Sequence, residues 1–199
     1  HLNLMNVADY ADAAVISTDV SLISDELLEH LPRLEHIACR GSGVDQIDLP
    51  ACASRGISVS CVPGYAETVV AEHTLALLFA LSRKIPQAVE RTRNHDFSIQ
   101  GLLGLNLAGK TLGIIGTGAI GKRVARMAKG LDLEVLAFAR RPDLEWAVAQ
   151  HIQYAPLDEV LGRSDILSLH IPGGPESRHL LSDQAFSMMK QGALLINTA

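Results

Sequence analysis

The chain has 199 residues, 48% of them apolar, with 17 Lys+Arg against 22 Asp+Glu and a formal net charge of −5. That apolar content supports a buried core and argues against disorder, and the length allows one large domain or two small ones. An acidic balance without a basic stripe disfavours nucleic acid, no apolar run approaches the ~20 residues of a membrane helix, and no basic segment leads into a small-residue cleavage site.

Residues 13–16 (AAVI), 34–39 (LEHIAC) and 57–61 (ISVSC) are short apolar runs separated by helix-like segments at 24–31 and 48–56. Ser24 ahead of Leu27, Leu28 and Leu31 reads as an N-cap before helical spacing. Asp48 before Pro50 is a second start signal and Gly56 a stop. This alternation predicts parallel α/β structure. Cys39, Cys52 and Cys61 are odd in number and lack CxxC spacing, which argues against a disulfide framework and a zinc site. They read as reduced, partly buried thiols of a cytoplasmic protein.

Pro63-Gly64 punctuates the chain. A long helix is expected from about Ala66 to Lys84, apolar on nearly every face of its second half, so that a domain interface or a subunit must cover it. Arg83 and Lys84 close it where the dipole favours cations. Residues 91–109 read as connection. Strands then follow at 111–115, 134–138, 152–154, 165–169 and 193–196, with helices at 119–130, 144–150, 157–163 and 182–190. Apolar runs without polar alternation predict strands covered on both faces, and an open sheet of this kind takes its ligand beyond the carboxyl ends of its strands. The expected fold is α/β, with two parallel-sheet domains at 1–64 and 65–199, the second of Rossmann type and beginning with the long helix. The chain opens at His1 without an initiator methionine and stops at Ala199 straight after a strand-like run, which suggests a fragment cut at both ends.

Residues 116–121 read GTGAIG, between the strand TLGII and the helix that starts at 119. That context turns a weak G-x-G-x-x-G match into a dinucleotide-binding expectation. Gly116 allows the tight turn, Gly118 admits a pyrophosphate close to the backbone, and Gly121 lets helix and strand pack closely. Thr117, Ala119 and Ile120 complete the loop, and the helix N-terminus offers N–H groups to the phosphates. The second strand should end in an acid that grips the adenosine ribose 2′-OH. Here the tip is Ala139, followed by Arg140 and Arg141. Alanine cannot accept from a hydroxyl, and two guanidiniums suit a 2′-phosphate. NADP(H) is therefore expected in preference to NAD(H), the alternative being one arginine stacked on adenine with NAD(H) still bound. Asp143 lies too far along to replace the acid.

GSGVDQIDL at 41–49, VPGYAETVVAEHTLALLFALSR at 62–83, LAGKTLGIIGTGAIGK at 107–122, SDILSLHIP at 164–172 and GALLINTA at 192–199, in this order, resemble the D-isomer-specific 2-hydroxyacid dehydrogenases. The resemblance covers essentially the whole chain. It implies a flavodoxin-like substrate domain, here partial, a coenzyme domain, and hydride transfer between nicotinamide and C2 of a small 2-hydroxy or 2-oxo acid. It places the substrate carboxylate on backbone amides at Ser42 and Gly43, although GSG also reads as an ordinary tight turn. Tyr65 either lines the substrate pocket or merely packs. Thr68 and Val70 are placed beside the nicotinamide, His170, Ile171 and Pro172 beside adenosine, and Asn197, Thr198 and Ala199 near the carboxamide. It also implies a homodimer through the coenzyme domain.

The same resemblance places the substrate-orienting arginine directly after Ala199, and the glutamate and histidine of the acid–base pair later still. No catalytic residue is therefore assigned within 1–199, and residues 1–199 alone are expected to be inactive. Gly173-Gly174 stands where relatives carry a bulkier pair. Glu72-His73 is no acid–base substitute, because adjacent helix residues do not face each other. His73 reads as a buried or interface residue and Glu72 as an interdomain anchor. None of the histidines has metal-ligand spacing. Two further readings stand beside the enzyme: a dinucleotide-sensing, corepressor-like protein of the same fold, and an unrelated sheet that binds another adenosine ligand. Glyoxylate, hydroxypyruvate, pyruvate and branched 2-oxo acids all stay open as substrates.

Overall fold

The computed structural model describes residues 2–19, 21–174 and 176–199. The chain divides into two compact units, His1–Ala66 and Glu67–Ala199.

In the first unit a 3-10 turn at Val7–Tyr10 precedes β1 (Val15–Thr18). The strand starts two residues after the apolar run does, because Ala13 still closes a turn with its N–H on the Tyr10 carbonyl at 2.8 Å. Helix α1 (Asp25–Glu29) begins where Ser24 accepts a hydrogen bond from the Leu27 amide. After β2 (His36–Cys39), Asp48 caps α2 (Leu49–Ser54) by accepting from the Ala51 amide at 2.9 Å. Strand β3 (Ser58–Ser60) follows, and the sheet runs β1-β2-β3, all parallel. Ile16 and Ile37 bury against Leu27, Leu28, Leu31 and Cys52. Cys39 and Cys52 are buried but Cys61 is exposed, so the expectation of three partly buried thiols fails at Cys61, which lies just beyond β3.

The second unit opens with α3 (Glu67–Ser82). Its buried residues, Ala71, Thr74, Leu78 and Ser82, form one stripe at helical spacing. Leu75 and Leu77 are half-buried against the same core, while Val69, Phe79 and Leu81 are exposed. His73 and Glu72 are exposed as well, so the burial expected of His73 is not found within its own unit. A second helix, α4 (Ile85–Arg93), falls partly in residues expected to be connection. Lys84 adopts a left-handed φ of 52° that breaks α3, and Pro86 in the next first turn is preset for helix. The connection starts only at Asn94.

The remaining elements are β4 (Thr111–Ile115), α5 (Ala119–Lys129), β5 (Glu134–Phe138), α6 (Leu144–Ala149), β6 (Gln153–Tyr154), α7 (Leu157–Arg163), β7 (Ile166–Leu169), α8 (Asp183–Met188) and β8 (Leu194–Asn197). The sheet order is β6-β5-β4-β7-β8, all parallel, which is the Rossmann-type order. Successive β4 residues serve opposite faces. Leu112 and Ile114 pack with Ala71, Leu78, Val124 and Ala128, while Ile115 packs with Val160, Leu161 and Leu167. Coverage on both sides is why these strands are apolar throughout. Truncating a side chain such as Ile114 to alanine costs roughly 2–5 kcal/mol.

Candidate functional site

Parallel register brings the strand ends of the second unit to one edge. Ile115 is level with Phe138 and with Leu169, and Leu169 is level with Asn197. The Gly116 amide donates to the Phe138 carbonyl at 2.8 Å and the His170 amide to the Ile115 carbonyl at 2.8 Å. Gly116, Ala139, His170 and Asn197 therefore lie along a common rim. The chain leaves β4 for β5 on one side, while β7 lies on the other, which makes this the switch point where open α/β sheets take ligands.

The three glycines of the turn are there for different reasons. Gly116 has φ +98°, and a methyl on it would lie 2.4 Å from the His170 carbonyl oxygen. A methyl on Gly121 would lie 2.0 Å from the Gly116 carbonyl oxygen. Both are fixed by the protein's own packing. Gly118 is exposed at φ −69°, and a methyl there would meet nothing within 4 Å. No side chain caps the helix that begins beside it. Glycine at 118 suits its place as the N-cap of α5, and it also leaves the backbone bare where a diphosphate would be drawn up to it. The turn therefore fits a dinucleotide. Ala119 is exposed and Ile120 half-buried beside it.

Thr117 directs its hydroxyl to the protein, 2.6 Å from the Tyr154 hydroxyl. Tyr154 also accepts from the Asp143 amide at 3.3 Å. Asp143 caps α6 by accepting from the Trp146 amide at 3.0 Å and receives Lys122 Nζ at 2.5 Å. The lysine, then that amide, hold its carboxyl below the usual carboxylate range. Both Asp143 oxygens are thus engaged, which leaves Ala139, Arg140 and Arg141 as the chemistry of the β5 tip. Arg140 is ion-paired with Glu176, and Arg141 is exposed with no ion-pair partner among the described residues.

At the β7 tip, His170 Nε2 lies 2.8 Å from the hydroxyl of Ser168, which is fully buried. Nδ1 is buried without a hydrogen-bond partner, and burial pushes the imidazole down to about 4. Ile171 packs against Gly116, and Pro172 is exposed. At β8, Asn197 Oδ1 accepts from the Ala199 amide at 3.1 Å. The Thr198 hydroxyl lies 2.9 Å from that of Thr74, which donates to the Val70 carbonyl at 2.8 Å. These contacts tie the β8 end to the N-terminal half of α3, where Thr68 and Val70 are half-buried. In the first unit, Ser42 and Gly43 are exposed in the turn after β2, where Cys39 Sγ donates to the Gly43 carbonyl at 3.2 Å. Tyr65 is 59% exposed.

Sequence reasoning did not single out Tyr154, Lys122, Glu176 or Thr74. Tyr154 carries the one available signal, a phenol at a strand end, where an amphipathic ring places its hydroxyl among loops. No group of three or more His, Cys, Asp or Glu side chains able to hold a metal occurs among the described residues. No helix among them is long and apolar enough to cross a membrane.

Residues 75–199 match the family model "D-isomer specific 2-hydroxyacid dehydrogenase, NAD binding domain". A 2-hydroxyacid dehydrogenase homolog of Haemophilus influenzae is 41% identical over 180 residues, 88% of this chain and 54% of that protein. D-lactate dehydrogenase of Escherichia coli is 39% identical over 177 residues, 89% of this chain and 53% of that protein. The chain thus spans about half the length of the curated relatives it matches. D-lactate dehydrogenase from Aquifex aeolicus, solved with NAD and lactic acid, superposes with a TM-score of 0.87 at 36% identity, over 97% of this chain and 58% of that one.

Proposed function

The chain belongs to the D-isomer-specific 2-hydroxyacid dehydrogenase family, and on that premise we propose that it serves NAD(P)-dependent interconversion of a small 2-oxo acid and its 2-hydroxy acid, with NADP(H) preferred. The observation that carries the dinucleotide reading is Gly118, a glycine that neither its backbone angles nor its neighbours require. The nicotinamide, when bound, supplies the hydride that passes to C2 of the 2-oxo acid.

This chain's residues supply placement. Backbone amides at the start of α5 receive the diphosphate. Ile171 and Pro172 flank the adenosine, with His170 beneath the turn. Thr68, Val70, Asn197, Thr198 and Ala199 line the nicotinamide end. Ser42 and Gly43 offer backbone amides to the substrate carboxylate, and Tyr65 lines the substrate side. The first unit is the substrate-binding part and the second the coenzyme-binding part. Val69, Phe79 and Leu81, exposed on separate sides of α3, leave apolar side chains uncovered, which favours a homodimer through the second unit. Unbridged thiols at Cys39, Cys52 and Cys61 favour a reducing, cytoplasmic setting.

Preference for NADP(H) rests on the β5 tip. Ala139 provides no acceptor for a ribose hydroxyl, and Arg141 is a guanidinium without an ion-pair partner among the described residues. Titration with NADPH and with NADH, followed by quenching of Trp146 fluorescence, tests it. NADPH is expected to bind about 10-fold more tightly, the scale of a charge-assisted hydrogen bond, and Arg141→Ala to remove that advantage while NADH affinity holds. Equal affinity for the two cofactors in the parent protein defeats the NADP(H) preference. Binding by the full-length protein without turnover of any 2-oxo acid would favour a dinucleotide-sensing role instead.

A further inference from the structure

We infer that Tyr154 is a positioning residue for the dinucleotide, its hydroxyl locking the glycine turn to the loop that follows β5. The inference rests on the dinucleotide reading above and extends it to a residue outside the G-x-G-x-x-G pattern. Tyr154 ends the short edge strand β6, and its ring packs against the core cluster that contains Val135, Ala137 and Ile152. The ring is therefore fixed and the hydroxyl is carried to a set place. That place is the junction of two segments which β4 and β5 send out separately. On one side the hydroxyl meets Thr117 Oγ1 at 2.6 Å, in the turn between Gly116 and Gly118. On the other it accepts from the Asp143 amide at 3.3 Å, in the loop that carries Ala139, Arg140 and Arg141.

The hydrogen-bonding is directional. Tyr154 has one proton to give and lone pairs to receive. Accepting from the Asp143 amide leaves it both a proton and a lone pair, so that it can give to or receive from Thr117 Oγ1. The loop side is itself braced, because Asp143 holds the α6 amide at Trp146 and Lys122, and Lys122 Nζ lies 5.2 Å from the centre of the Trp146 ring. Lys122 belongs to α5, so the brace returns to the helix that begins at the glycine turn. One phenol thereby sets the separation between the amides assigned to the diphosphate and the guanidiniums assigned to the adenosine ribose. A dinucleotide spans both, so any slack between them has to be removed on binding.

Tyr154→Phe deletes the hydroxyl and keeps the ring in its core contacts. It is expected to raise the dissociation constants of NADPH and NADH about 3- to 10-fold, the net worth of a hydrogen bond. Thr117→Val should weaken binding to a similar degree, Thr117→Ser should restore it, and the double variant Tyr154→Phe/Thr117→Val should add little, since both changes remove the same bond. Hydrogen exchange at the amides of 117–121 in the ligand-free protein gives a readout apart from binding and should quicken in Tyr154→Phe. Binding by the parent protein with unchanged affinity and exchange in Tyr154→Phe would overturn the inference alone. Failure of the parent to bind either cofactor would overturn the dinucleotide reading together with it.

Discussion

The turn after β4 and the turn after β2 both set glycines at the carboxyl end of a parallel strand, GTGAIG at 116–121 and GSG at 41–43. In the first, two of three glycines are locked in place by neighbours at 2.0 and 2.4 Å from where a methyl would sit. In the second, a methyl on Gly41 would meet nothing closer than 3.5 Å and one on Gly43 nothing closer than 3.4 Å, ordinary contact distances. Neither Gly41 nor Gly43 has a positive φ. A glycine-rich turn can thus be fixed by its own packing or left unconstrained by it, and Gly118 joins Gly41 and Gly43 in the second group.

The sharpest way to break that division is to place a methyl on each kind of glycine. Gly121→Ala forces backbone against backbone, since the obstructing atom is the Gly116 carbonyl and not the end of a flexible side chain. A loss of about 3 kcal/mol or more in urea unfolding is expected. Gly118→Ala should leave stability within about 1 kcal/mol, the N-cap penalty of alanine being offset by its stiffer unfolded chain. Its effect should instead be a dinucleotide affinity lowered about 10-fold or more, because the methyl occupies the close approach reserved for the diphosphate. Intact affinity in Gly118→Ala would mean that its glycine serves no ligand.

His170 props the same turn from the β7 side, its carbonyl against Gly116 and its imidazole buried over Ser168. With the folded imidazole near 4 against an ordinary 6.5, the unfolded chain binds more protons than the folded one between those values. Stability is therefore full above about 6.5 and falls on acidification toward 4, by about 1 kcal/mol between pH 7 and 5.5. Asp143 and Asp165, both held below their ordinary 3.8, lose their contributions only in more acid solution, so the window belongs to the histidine. Unfolding of His170→Gln followed between pH 5 and 7 should show a flatter profile than the parent. An unchanged slope would place the proton uptake elsewhere.

Much of the second unit was legible because apolar runs, caps and glycines all pointed to one fold. β4 and β5 fall where the runs TLGII and EVLAF stand. Residues 85–93 were harder, since Ile85, Ala88 and Val89 stand at helical spacing but follow at once on Arg83 and Lys84, which read as the end of the preceding helix, and none of the α4 residues is buried. The rim was legible in the same way, because parallel strands must end on one edge. The brace behind it was not. Tyr154, Asp143, Lys122 and Thr117 come from four separate elements or loops, and nothing in their spacing announces that one hydroxyl joins them. The ion pair of Arg140 with Glu176 is hidden for the same reason, being a meeting of two loops 36 residues apart.

The smallest expected effect tests the turn after β2, where the comparison is least supported by sterics. Gly43→Ala meets only Asp45 Oδ2 at contact distance, so unfolding should change by less than about 0.5 kcal/mol. If the amides of Ser42 and Gly43 receive a substrate carboxylate, the methyl stands beside the incoming group and tilts the donors. A KM for the 2-oxo acid raised about 3-fold in the intact enzyme, with cofactor affinity unchanged, is the expected outcome, since only one of several hydrogen bonds is perturbed. Ser42→Ala supplies the contrast, because the backbone N–H survives the change. It should leave KM near the parent value if the backbone is what binds. A rise in Ser42→Ala with none in Gly43→Ala would move the contact from the main chain to the serine hydroxyl. No change in either would return GSG to an ordinary turn and leave Gly118 as the one glycine held open for a ligand.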